Sequence, residues 1–206
     1  SCPTVSTEKT PTSSTASVQG FDPQMILHPV CNLWKSRNVS AIGKTGMTVM
    51  GKFDILQIGD RFWRILNPEG HTFYLTEGDT LAAVIDTGMT EGEQILPMLR
   101  TLTDKPMVLI LTHAHYDHCH HMDEFDTVYM CHDELTMPKV FLHEMTQGKD
   151  LSHTIHIDTD SVIDLGGRLL EICKIPGHTP GSVAVFDEKD QIVLTGDAIG
   201  SGCGVW

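Results

Sequence analysis

Residues 106–118 read PMVLILTHAHYDH, an apolar run that passes without a break into three histidines and an aspartate. From Pro106 to Leu111 there is no polar alternation, so this half reads as a strand buried on both faces by helices or by a second sheet. His113 and His115 follow it two positions apart. On an extended backbone such residues point the same way, so both imidazoles can hold one metal ion. Asp117 and His118 fall in what must become a turn, which swings them toward a second position nearby. Four metal-competent side chains crowded at a strand end are expensive to hold without a cation. The stretch therefore predicts two adjacent metal ions.

Upstream, short β-type runs at Phe53–Ile58, Arg61–Leu66 and His71–Leu75 are separated by Gly59-Asp60 and by Asn67-Pro68-Glu69-Gly70, the marks of an antiparallel meander. Thr80–Asp86 is a further strand ending in Asp86-Thr87-Gly88. Thr90 and Glu93 have the spacing of a capping box ahead of Ile95, Leu96, Leu99 and Leu102, with Pro97 forcing a kink or a later start. Downstream, Phe125–Met130 reads as a strand and Asp133–Met145 as a helix interrupted at Pro138. Ser161–Ile175 reads as two strands turning at Gly166-Gly167, and Ser182–Phe186 pairs with Gln191–Thr195 around Asp187–Asp190. The sum is a strand-rich α/β chain.

The chain has 206 residues, 40% of them hydrophobic, which suits one domain with a real core. A net charge of −13, from 14 Lys plus Arg against 27 Asp plus Glu, argues against a long nucleic-acid partner. No apolar run approaches the roughly 18 residues of a membrane helix. The six cysteines include no Cys-X-X-Cys pair, which removes the commonest zinc-ribbon and thioredoxin readings. Residues 1–20 are dominated by Ser, Thr, Pro and Gly and read as a disordered tether, with the domain running from 21 to 206. The first residue is Ser rather than Met, and Ser1-Cys2 before a Ser/Thr-rich stretch is similar to a lipoprotein junction. A lipid anchor at Cys2, with export, stands there against a plain tether with a cytoplasmic location.

Two later stretches complete the pattern. Pro176-Gly177-His178-Thr179-Pro180-Gly181-Ser182 sets one histidine in a tight loop whose glycines permit backbone angles that other residues resist. Gly196-Asp197 puts a carboxylate at the tip of the apolar run Ile192–Leu194. The order His-X-His-X-Asp-His, Gly-His-Thr-Pro-Gly-Ser, Gly-Asp resembles the metallo-β-lactamase superfamily from about Phe53 onward, in particular its glyoxalase II-like and lactonase-like branches. The resemblance implies a four-layer αββα sandwich. It implies that His113, His115 and His178 hold one metal, that Asp117 and His118 help hold the other, and that Asp197 bridges both. Asp86 would steady the ligand loop.

His118 in place of Arg, and Asp197 in place of Cys, point away from the best-known zinc β-lactamases. His115 in place of Glu points away from the flavodiiron branch. Cys119-His120-His121 follows the cluster where the family usually has small glycines; Cys119 reads as a small buried side chain ahead of a reactive thiol. The family takes a further ligand histidine from a later loop, whereas Trp206 stands nine residues after Asp197. The expectation is that the C-terminal half of the sandwich is truncated, with a continuation or a second chain to complete it.

The implied activity is hydrolysis of a small ester-like substrate (thioester, lactone or lactam) by water activated on two divalent ions. Zinc is the expected metal, and iron or manganese suit the same ligands. Asp117 would orient that water and pass on a proton. The alternatives are a phosphodiesterase of the same superfamily and a non-catalytic metal-binding relic.

Overall fold

The buried strand at 107–110 lies inside a sheet that is antiparallel on one side of it and parallel on the other. The computed structural model describes residues 47–50 and 52–199. Within them, β1 (Met47–Met50), β2 (Phe53–Gly59), β3 (Phe62–Leu66), β4 (Thr72–Glu77) and β5 (Ala82–Ile85) form the expected antiparallel meander. β6 (Met107–Ile110), β7 (Val128–Met130) and β8 (Ile155–His156) continue the sheet in parallel, giving eight strands in chain order. Parallel neighbours need crossovers, and these carry α1 (Leu96–Leu99), α2 (Tyr116–Cys119) and α3 (Lys139–Thr146). The second sheet is antiparallel, ordered β12 (Ile192–Leu194), β11 (Val183–Asp187), β10 (Leu169–Lys174), β9 (Val162–Asp164).

Alternation along β6 explains the layering. Val108 and Ile110 pack with Ile163, Leu170, Ile172 and Val185 of the second sheet. Leu109 and the following Leu111 pack with Ile95, Leu99 and Met122 on the helical side. The strand is buried on both faces, as its composition required. Helix, sheet and sheet are thus three layers of the αββα sandwich. On the outer face of the second sheet, Val162, Leu169 and Val193 are exposed, and no helix covers them among the described residues.

Two helical expectations need correction. The capping box at Thr90 and Glu93 does not form: α1 starts at Leu96 and has no cap from its own sequence neighbours. The amides of Ile95 and Leu96 instead donate to the Glu124 carboxylate at 3.2 and 2.9 Å, so a residue distant in sequence supplies the cap. Pro97 is tolerated because the first helical turn needs no N–H there. The expected helix 133–145 is a 3-10 turn, His132–Thr136, followed after Pro138 by α3. The proposed tether, the Cys2 anchor, most of the segment 21–50 and residues 200–206 lie outside the described residues.

Arg168 joins the sheets. Its guanidinium is fully buried, with Nη1 2.7 Å from Asp187 Oδ2, and it also donates to Thr76 Oγ1 on β4 and to the Asp60 carbonyl. A charge taken this far from water needs close partners, and both terminal nitrogens of Arg168 have them. Replacing Arg168 with Ala should therefore destabilise the chain by about 3–5 kcal/mol, since it strands the Asp187 carboxylate in the core. Urea unfolding monitored by circular dichroism measures the loss.

Candidate metal centre

The site begins with Asp86, at the end of β5, where the backbone takes a φ of +60° that Asp tolerates better than most residues. Its Oδ1 accepts from the Thr112 amide at 2.8 Å, and its Oδ2 accepts from Thr112 Oγ1 and His118 Nδ1, each at 2.8 Å. Thr112 Oγ1 has thus spent its hydrogen on Asp86, and it accepts from His113 Nδ1 at 3.2 Å. Both His113 and His118 are therefore held in the tautomer that turns Nε2 toward the site.

β6 ends at Ile110, so the ligands leave the strand slightly before the chemistry begins. The Leu111 amide still bonds the Tyr129 carbonyl at 2.9 Å, which keeps the chain extended up to the cluster. His113 Nε2 and His178 Nε2 each stand 2.9 Å from His115 Nδ1. One ring nitrogen carries either one hydrogen or one lone pair, so it cannot satisfy two such neighbours well by hydrogen bonding. A cation accepts all three lone pairs, and the chemistry of this donor set fits one. Burial, then the neighbouring rings of His118, His115 and His178, hold the His113 pKa well below its ordinary value. Burial, then His178, lowers that of His115. Both are neutral at neutral pH, the form a metal requires.

A second group is formed by His113, His118 and Asp197. Burial alone would lower the His118 pKa, but Asp86, with Asp197 and Asp117, raises it to about 10. His118 Nε2 lies 3.6 Å from Asp197 Oδ1 and 3.5 Å from Asp117 Oδ2. Three carboxylates around one imidazole call for positive charge at this point, which either a proton or a divalent ion supplies. Asp197 Oδ2 is 3.8 Å from His178 Nε2, so its two oxygens face the two groups. The hydrogen bond with His118 holds the Asp197 carboxyl below its ordinary range. Asp117 stands at the edge, 38% exposed and outside both triads. It lines a polar cavity of about 350 Å³ together with His71, Tyr74, His118, Asp197 and Ile199.

The two loops from the second sheet are set by close backbone approach. At Gly196 (φ +49°) an added Cβ would lie 2.2 Å from Thr112 Oγ1, so only glycine brings Asp197 up to the histidine cluster. Gly177 and Gly181 do not need positive φ, contrary to the expectation for the His178 loop. Gly181 is required for space instead: a Cβ there would lie 2.7 Å from the Glu134 amide nitrogen and 2.9 Å from the Cys131 carbonyl oxygen. Cys119 is wholly buried in the core, and burial pushes its thiol up to about 12, so it takes no part as a nucleophile.

Glu134 was not legible as part of the site. It is completely buried; its Oε1 accepts from Thr179 Oγ1, while Oε2 has no hydrogen-bond partner. Thr179 and Ser182 are bonded in turn, Oγ1 to Oγ at 2.8 Å, so this network clamps the loop that carries His178. Nothing in the sequence separates Glu134 from its neighbour Asp133, which bonds Lys174 at the surface.

Residues 66–206 match the family model of the metallo-beta-lactamase superfamily, and the chain belongs to that superfamily. It is 30% identical over 145 residues to a Streptococcus pyogenes protein named as a probable metallo-hydrolase, covering 63% of this chain and 61% of that one. It is 26% identical over 183 residues to an acyl-coenzyme A thioesterase of Bos taurus, covering 72% and 64%. With a hydroxyacylglutathione hydrolase of Serratia proteamaculans it shares 28% identity, covering 69% and 48%. The chain thus spans less than two thirds of the length of these relatives. Among solved structures, the class B3 di-zinc metallo-beta-lactamase LRA-12 from an Alaskan soil metagenome aligns with a TM-score of 0.54 at 21% identity, covering 66% and 58%. The metallo-beta-lactamase GOB-18 from Elizabethkingia meningoseptica also gives 0.54, at 19% identity, covering 73% and 63%. At these identities the likeness bears on the fold alone.

Asp86→Asn keeps the shape but offers His118 and Thr112 one acceptor oxygen where they now have two. It should weaken divalent-metal binding by about 10–100-fold, read by competition with a chromogenic chelator. Burial pushes the Glu134 carboxyl up to about 7 from its ordinary 4.5. The folded chain therefore keeps a proton that the unfolded chain releases, and stability falls as pH rises from about 4.5 to about 7. Glu134→Gln should remove that decline, worth on the order of 2–3 kcal/mol, in melts of metal-free protein across this range.

Proposed function

We propose that the chain carries a binuclear metal centre that hydrolyses an ester-like bond, with zinc the expected metal and thioester, lactone or lactam the substrate class. The observation that carries this reading is Asp197, whose two carboxylate oxygens face the two histidine groups. His113, His115 and His178 would hold one ion, and His118 and Asp117 the other, with Asp197 between them. Divalent ions bound there supply Lewis acidity and make water acidic enough to react near neutral pH.

The remaining work falls to the chain. Asp86 keeps His118 in the tautomer that presents Nε2, and the Glu134–Thr179–Ser182 network keeps His178 in place. Asp117, the most exposed carboxylate of the site, opens onto the polar cavity. There it accepts the proton of the attacking water and returns it to the leaving atom. No serine or cysteine nucleophile is needed. Relatives named as a thioesterase and as a hydroxyacylglutathione hydrolase support an acyl substrate. The strongly negative net charge disfavours the phosphodiesterase alternative for a long nucleic-acid substrate.

The test is to load the protein with zinc, measure bound metal, and assay a panel of thioesters, lactones and lactams. Two zinc ions per chain and turnover abolished by chelation are expected. Asp117→Asn should lower kcat by about 10²–10⁴-fold while zinc stays on the three-histidine group. Stoichiometric zinc with no turnover on any of these substrates would sink the hydrolytic reading and leave a metal-binding relic.

A further inference from the structure

A second cavity, of about 540 Å³, adjoins the site at His115 and His178, and Asp117 is not among the residues that line it. Its base includes His115 and His178, and its walls are Met137, Phe141, Met145 and Pro180. It shares no lining residue with the polar cavity. Phe141 and Met145 are four apart on α3 and so share one face of the helix, while Met137 precedes it by one turn. Apart from the two candidate ligand histidines, no titratable side chain among the described residues lines this groove. Phe141 is 61% exposed, a large aromatic surface left open beside two of the predicted metal ligands. The polar cavity has the opposite character, lined by Asp86, Asp117 and Asp197.

This asymmetry orients a substrate. We propose that the groove is an acyl-chain site, and that the substrates are open-chain esters or thioesters whose acyl group is an aliphatic chain. The inference rests on the hydrolytic reading above. In such a hydrolysis the water oxygen bonds to the carbonyl carbon, and the bond from that carbon to the leaving oxygen or sulfur breaks. The products are a carboxylic acid and an alcohol or thiol. The leaving atom needs a proton, and the carboxylate placed to deliver one, Asp117, opens into the polar cavity. The leaving group therefore occupies that side, and the acyl chain extends the other way, past His115 and His178 into the groove. Flexible thioethers and one aromatic ring suit a chain of variable length, because Met adjusts its rotamers to fill irregular space.

The experiment has two arms on the zinc-loaded chain. In the first, kcat/KM is measured for thioesters of one common thiol carrying acetyl, butyryl, hexanoyl and octanoyl groups. It should rise about two- to fourfold per methylene, the gain expected for burying each in an apolar groove. Phe141→Asp and Met145→Glu should cut the octanoyl-to-acetyl ratio at least about tenfold, since both place a charge where the chain lies. Leu169→Asp, exposed on the outer face of the second sheet, should keep the wild-type ratio. In the second arm, octanoate and acetate are titrated calorimetrically as product mimics. Octanoate should bind more tightly, and Phe141→Asp should abolish the difference. Equal rates across the series, or a ratio that survives both substitutions, would overturn the acyl site while leaving the hydrolase intact. Octanoate binding that depends on Phe141 without turnover of any thioester would overturn the hydrolase and keep the groove. No preference for octanoate in either arm ends the proposal.

Discussion

The carboxylate of Asp86 is the constraint on which the metal centre depends. It accepts from the Thr112 amide, the Thr112 hydroxyl and His118 Nδ1. Through them it ties the end of β5 to the end of β6 and to the first turn of α2. By accepting from each of them, its oxygens fix where the Thr112 hydroxyl hydrogen points and which His118 nitrogen carries a hydrogen. The orientation of His118, and through Thr112 that of His113, follows from this one side chain. The left-handed backbone at Asp86 is a local cost that this convergence explains.

The centre also depends on the docking of the two sheets. His113, His115 and His118 come from the crossover of the first sheet, whereas His178 and Asp197 come from loops of the second. The Val183 amide bonds the Thr112 carbonyl at 2.9 Å, and Arg168 bridges β4 and β11 from inside the core. A methyl group would clash at Gly181 with the backbone of Cys131 and Glu134, and at Gly196 with the Thr112 side chain. Ligand geometry is therefore a property of the sheet interface, and a change that loosens the interface reaches the metal without touching a ligand. The two cavities share this origin: one is lined by the end of β12 and by His118, the other by α3 with His115 and His178, and no residue lines both.

Strand positions in this chain were readable because they rest on local signals. β2 to β4, β6 and the hairpin of β11 and β12 fall close to where alternation and turn residues put them. The candidate ligands came from local signals too: His-X-His-X-Asp-His behind a fully apolar strand crowds ligand-type side chains at one strand end, and the structure brings His113, His115 and His118 together there while Asp117 stays outside both groups. Where local signals misled, a partner distant in sequence had taken over. The capping box at Thr90 lost to the Glu124 carboxylate. Gly181 of the His178 loop serves close packing against Cys131 and Glu134, and neither it nor Gly177 has a positive φ. Glu134 carried no signal, because its importance comes from being buried against Thr179.

The sequence alone thus determined the α/β class and the superfamily, and it supplied the candidate metal-binding side chains, because periodicity, residue type and spacing are properties of the chain read in order. Only the tertiary structure decided which oxygen of Asp197 faces which histidine, and that Asp117 stands at the solvent edge. Only it showed that an apolar groove lies against His115 and His178 while a separate polar cavity takes in Asp117, His118 and Asp197. These are distances between residues brought from separate sheets and crossovers. They are set by how the buried faces of those sheets pack, which no stretch of sequence encodes by itself.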